Sequence, residues 1–170
     1  MCGFIVIKSN KITNKIRKSF KKSLFHLEHR GPDETRFIEK KNYLIGFTRL
    51  SINDINTASQ PFQSKCGRYY IVFNGEIVNY NFLKKNLIKK KILLKYGHEA
   101  EIIMNFFKLY GPKCVKFLRG FFSFVIIDLK NNEVFGAVDR HSIKPLYYTH
   151  DKINKIFICT SDYSATLKSG

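Results

Sequence analysis

FFSFVIIDLKNNEVFGAVD, residues 121–139, is a pair of apolar runs on either side of the polar stretch Lys130-Asn131-Asn132-Glu133. Aromatic and β-branched runs of this length, joined by a short polar turn, predict a β-hairpin and with it antiparallel pairing. Upstream the periodicity changes. EAEIIMNFFKLYG, residues 99–111, carries apolar residues at helical spacing and stops at Gly111 and Pro112, as a helix should. NYNFLKKNLIKKK, residues 79–91, predicts a second helix. Further upstream, CGRYYIVFNGEI, residues 66–77, predicts a strand led by the turn at 65–67 and interrupted at Asn74-Gly75-Glu76. TRFIEKKNYLIGFTRLSI, residues 35–52, predicts a hairpin turning at 40–42. At the start, CGFIVIK (2–8) predicts a first strand, and Ile12, Ile16, Phe20, Leu24 and Leu27 mark the buried stripe of a helix that must stop near HRGPD, residues 29–33. Downstream, LYYT (146–149) and KIFICTS (155–161) predict short strands. Strands, then helices, then strands make an α+β protein with mainly antiparallel sheet.

Composition bounds the function. At 170 residues and 44% hydrophobic content the simplest division is one domain, residues 1–170, with a sizeable core. The apolar run Phe4–Ile7 is far shorter than the ~20 residues of a membrane span and lacks the flanks of a signal peptide. The chain is therefore expected in the cytoplasm, away from membranes. Four cysteines, at 2, 66, 114 and 159, show no CxxC spacing, so neither a zinc site nor a disulfide framework is expected. The net charge of +17 suits a basic nucleic-acid-binding module. Lysine dominates that excess, however, and lysine faces of amphipathic helices account for it, so nucleic acid is not the expected partner. His98-Glu99 lacks the further spaced ligands a metal needs, and no metal is expected.

Chemistry is concentrated at the first residues. Removal of Met1 would leave Cys2 with a thiol and a free α-amine, whose ordinary pKa near ~7.7–8.0 lets it accept the thiol proton. Taken alone, Cys2 is equally well a small residue opening a strand. A thiol that attacks a carbonyl needs donors for the oxyanion, and Asn74 and Gly75 offer a side-chain amide and a backbone N–H at the end of an apolar strand. Asn-Gly is also the commonest hairpin turn. Arg49, within the otherwise apolar GFTRLSI, suits a substrate carboxylate or an ion pair of the fold.

MCGF, HRGPDE, GFTRLSI, QPF, FNGEIVNY and DRHSIKPLYY follow one another in the order and approximate spacing of the glutaminase domain of class II glutamine amidotransferases. HRGPD together with NGEI-x-N resembles the glutamine-dependent asparagine synthetase branch. The resemblance runs from Cys2 to about Tyr148. It implies the N-terminal-nucleophile hydrolase fold, a four-layer αββα sandwich. Carried over by position, it makes Cys2 the nucleophile, Asn74 and Gly75 the oxyanion donors, and Arg49 the carboxylate partner of L-glutamine with backbone near Ile52. Glu76 and Glu99 become acceptors for the substrate ammonium. The resemblance implies no cofactor for this step. It implies ammonia transfer to a synthetase domain or subunit, which would bring ATP and magnesium, and no Gly-rich phosphate loop for such a domain occurs in these residues.

Two positions depart from the family pattern. HEAE (98–101) stands where Ser-Asp-Thr-Glu is usual, putting Glu99 in place of an aspartate. One extra C–C bond moves the carboxylate by up to about 1.5 Å. His141-Ser142 replaces the usual Phe-Gly. These departures support an alternative, a catalytically degenerate relative with a binding or regulatory role.

Overall fold

In the computed structural model, residues 1–50 and 59–167 are described. They form two compact units, one of residues 1–50 with 145–167 and one of residues 59–144. In chain order the elements are β1 (Gly3–Ser9), α1 (Asn14–His26), β2 (Glu34–Lys40), β3 (Tyr43–Arg49), β4 (Phe62–Gln63), β5 (Tyr69–Ile77), α2 (Tyr80–Lys89), α3 (Glu99–Tyr110), β6 (Gly120–Asp128), β7 (Glu133–Val138), β8 (Tyr147–Asp151), β9 (Ile156–Thr160) and α4 (Tyr163–Leu167). Short 3₁₀ turns cover Glu28–Arg30 and Gly111–Phe117.

The first unit is a five-stranded antiparallel sheet in the order β2-β3-β1-β9-β8. The sequence dictates its centre. β1 reads Gly-Phe-Ile-Val-Ile, apolar at every position, and Phe4, Ile5, Val6 and Ile7 are all buried, as a strand covered on both faces requires. Thr13 caps α1 by accepting the Ile16 N–H on its Oγ1 at 3.3 Å, and Phe20 and Leu24 carry the buried stripe into a cluster with Ile5, Ile7, Leu27 and Leu44. After α1 the HRGPD loop packs directly on β3. A Cβ on Gly31 would stand 2.6 Å from the Arg49 carbonyl carbon, so only glycine lets the two backbones approach.

The second unit is a four-stranded antiparallel sheet in the order β4-β5-β6-β7. The hairpin expected over 121–139 is β6–β7. β5 pairs with β6 through all nine residues, from Tyr69↔Asp128 to Ile77↔Gly120. The interruption expected at Asn74–Glu76 is therefore absent, and the Asn-Gly pair makes no turn. The polar residues sit inside a continuous ladder whose partner lies more than forty residues away. Ile71, Phe73 and Ile77, with Phe122, Phe124 and Ile126, form one core with Leu83 and Leu87 of α2 and Ile103 and Met104 of α3. Period-two alternation puts Asn74 and Ser123 on the opposite face of the sheet. The last rungs are distorted. Gly75 has φ +140° and Gly120 φ +149°, and a Cβ on either would run into the facing carbonyl, that of Phe121 or of Glu76.

Candidate active site

Cys2 stands immediately before β1, the central strand of its sheet, with its Sγ 3.9 Å from the Leu50 carbonyl oxygen. It is half-buried. The strand behind it is held firmly: Thr160 Oγ1 donates to the Phe4 carbonyl at 2.8 Å, and the Phe4 N–H donates to Ser161 Oγ at 2.9 Å. Arg30, in the HRGPD loop, donates from Nε to the Cys2 carbonyl at 3.4 Å and from Nη1 to Asp162 Oδ2 at 3.2 Å. The sequence marks HRGPD as a helix stop and a family motif but not this grip on Cys2, because an arginine among Glu28, His29, Asp33 and Glu34 gives no sign of which backbone oxygen it reaches. His29 Nδ1 donates to the His26 carbonyl at 2.7 Å and ties the loop to the end of α1.

Arg49 ends β3 and is buried, with Glu34 as an ion partner at 4.0 Å. The fold thus places an acidic neighbour beside the guanidinium assigned to a substrate carboxylate. Ile52, the remaining candidate near Arg49, lies outside the described residues.

The other candidates belong to the second unit, at the end of β5. Asn74 is 3% exposed, and its Nδ2 finds no hydrogen-bond partner among the described residues. Gly75 follows with its positive φ, and Glu76 is exposed. Gln60, from the QPF motif, braces the preceding residue: its Oε1 accepts the Phe73 N–H at 2.6 Å and its Nε2 donates to the Phe73 carbonyl at 3.1 Å. The side-chain amide continues the β4 ladder where the main chain has left it.

Glu99 opens α3, and its Oε1 accepts the Ile77 N–H at 2.5 Å, tying the helix to the residue after Glu76. His98 caps the same helix, its Nδ1 accepting the Glu101 N–H at 3.1 Å. Glu101 gathers the backbone N–H groups of Lys95, Tyr96 and Gly97 at 2.7 to 2.9 Å and so fixes the approach to α3. HEAE is therefore a capping and loop-ordering device, with Glu99 the member that faces the end of β5. Among the described residues no three His, Cys, Asp or Glu side chains group to hold a metal, and no helix is long and apolar enough to cross a membrane.

The DRHS loop is organised by Asp139. Its carboxylate accepts N–H groups from Phe122, His141, Ile143 and Lys144 at 3.0 to 3.2 Å. Burial pushes its pKa up, but the four backbone donors outweigh burial and hold the carboxyl below its ordinary range. Ser142, at the position where the family pattern has glycine, takes φ +53°.

The sequence profile of the glutamine amidotransferase domain family matches residues 1–170. The chain is 34% identical over 152 residues to glutamine-hydrolysing asparagine synthetase 1 of Bacillus subtilis, covering 88% of this chain and 24% of that protein. Over 134 residues it is 27% identical to asparagine synthetase B of Escherichia coli, covering 79% and 24%. Over 141 residues it is 35% identical to amidase chry2 of Gibberella zeae, covering 81% and 21%. The chain spans about a quarter of the length of these curated relatives. Among solved structures, the glutamine phosphoribosylpyrophosphate amidotransferase of Bacillus subtilis superposes with a TM-score of 0.79 at 19% identity, covering 99% of this chain and 44% of that one. That likeness shows the fold, and the expected α+β class with mainly antiparallel sheet is the class observed. With its whole length matched by the profile, the chain belongs to the glutamine amidotransferase domain family.

Proposed function

We propose that the chain hydrolyses the side-chain amide of L-glutamine to glutamate and ammonia, and that a further domain or partner chain uses the ammonia for amide synthesis of the asparagine type. The observation that carries this reading is the Asn74 amide, buried and without a partner among the described residues, beside a glycine whose backbone is bent. A buried N–H donor is costly to leave unused unless a ligand oxygen takes it.

In this reading Met1 is removed and the Cys2 amine accepts the thiol proton. Sγ then bonds to the amide carbon of glutamine while the carbonyl π pair moves onto oxygen, where Asn74 and Gly75 donate. Collapse restores the C=O, and the nitrogen leaves as ammonia with the proton from the amine. Water cleaves the thioester on Cys2, releasing glutamate and regenerating the thiol. Arg49 pairs with the substrate carboxylate, backbone near Ile52 assists, and Glu76 and Glu99 accept from its ammonium. No cofactor enters these steps. ATP and magnesium belong to the synthetase reaction and to whichever chain performs it.

Glutamate release by the purified natural chain and by Cys2→Ala tests the reading. Activity in the parent that is lost in the variant supports it, and no release from either overturns it. One observation favours a second reading, a relative that keeps the fold and has lost turnover: Glu99 already holds the Ile77 N–H. Glu99→Asp separates the two, since a gain in turnover marks a damaged ammonium site.

A further inference from the structure

Asn74 and Ser123 are direct partners in the β5–β6 register, so their side chains leave the sheet on the same face with Cβ atoms roughly 4.5–5.5 Å apart. Asn74 Nδ2 is not the only unused group there. Ser123 is fully buried at 0% exposure, and its Oγ also finds no hydrogen-bond partner among the described residues. Its strand neighbours Phe122 and Phe124 belong to the helix-side core, so the hydroxyl lies on the Asn74 side. The backbone around it is fixed as well, because Asp139 holds the Phe122 N–H at 3.0 Å and Gly120 closes the ladder two residues beyond.

An amide N–H can only donate, whereas a hydroxyl donates or accepts. One acceptor oxygen between the two side chains satisfies both. We propose that Ser123 is a second side-chain donor to the oxygen that Asn74 holds, namely the carboxamide oxygen of glutamine as it becomes an oxyanion. This rests on the glutamine-hydrolysis reading above. The Ser123 proton stays on Oγ throughout: the π pair moves onto the substrate oxygen, the hydrogen bonds donated to it by Oγ–H and Nδ2–H shorten, and both lengthen again when the C=O re-forms. Ser123 is thus a catalytic donor that is neither consumed nor deprotonated.

The test is steady-state glutamine hydrolysis by the full-length natural chain, by Ser123→Ala, Asn74→Ala and the double variant, with melting temperatures alongside. Ser123→Ala should lower kcat by about tenfold, a weaker loss than that of a principal oxyanion donor, and leave KM within about twofold. The melting temperature should hold or rise, because the alanine removes a buried hydroxyl that has no partner among the described residues. The double variant should lose less than the product of the single losses, since both groups serve one oxygen. Ser123→Cys, close in volume but a weak donor, should match the alanine variant and covers the case in which alanine fails to fold. A variant with kcat unchanged, whatever its melting temperature, overturns the inference and leaves the glutamine reading standing. A parent chain without Cys2-dependent glutamate release overturns both.

Discussion

The fully buried hydroxyls of the first unit and the Asn74–Ser123 pair of the second are treated differently. In the first, Thr48, Thr160, Ser161 and Ser23 are as inaccessible as Ser123, and each is bonded: Thr48 to the Leu27 carbonyl at 3.0 Å, Ser23 to the Ala165 carbonyl at 2.9 Å, and Thr160 and Ser161 to the two backbone groups of Phe4. In the second, Asn74 and Ser123 sit opposite each other with Nδ2 and Oγ unused among the described residues. The first arrangement makes polar groups part of the frame that holds the strand behind Cys2. The second keeps them available at a kinked strand end. The contrast separates residues whose loss should lower stability from residues whose loss should lower turnover.

Four substitutions break or sharpen that contrast. Asn74→Ala should reduce kcat by roughly 10²–10³ with no fall in melting temperature, measured by glutamate release and calorimetry; a large loss of stability instead would make Asn74 part of the frame. Asp139→Ala should destabilise by about 2–4 kcal/mol in denaturant titration, because four backbone N–H groups lose their acceptor. The sign of its pH dependence follows from the depressed carboxyl. The stabilisation is fully present above the unfolded aspartate pKa near ~3.9 and is lost as pH falls through the lower folded value. The parent chain should therefore lose stability on acidification below about pH 4, and the variant should lose less. Thr160→Val should cost about 1 kcal/mol, because the Phe4 carbonyl keeps the Ser161 N–H but loses the hydroxyl as its second donor and the Asp162 N–H loses its acceptor, whereas a neutral result would erase the contrast. The smallest effect belongs to Ser142→Gly, which relieves a positive φ and should stabilise by about 0.5 kcal/mol after the extra chain entropy of glycine.

Much of the architecture was legible from periodicity. The apolar run of β1, the Ile16-Phe20-Leu24 stripe of α1, the β6–β7 hairpin and α3 with its stop at Gly111 all lie where the sequence puts them. What failed is instructive. Asn74-Gly75 carries the local signature of a turn, but β6 supplies partners for both residues, and no local pattern reveals a strand so far along the chain. The two-residue β4, the five-residue α4 and the 3₁₀ turn after Gly111 are too short to leave a period. For the candidate site, residue chemistry and motif order named the Asn74-Gly75 pair, while Ser123, Arg30 and Gln60 stayed hidden. Their importance lies in which backbone atom or cross-strand neighbour they meet, which spacing along the chain does not encode.

The thiols carry a practical consequence for chemical labelling. Cys114 and Cys159 are buried, and burial pushes their pKa to about 11 and about 12, so electrophiles should pass them by in the folded protein. Cys66 is exposed, and hydrogen bonds from the Ser64 hydroxyl and then the Arg68 backbone pull its thiol below the ordinary value. A reagent chosen for Cys2 therefore meets a rival on the surface of the other unit. Adduct stoichiometry alone would confuse recognition of a glutamine-like warhead with plain thiolate chemistry at residue 66, and Cys66→Ser supplies the background on which selectivity can be read.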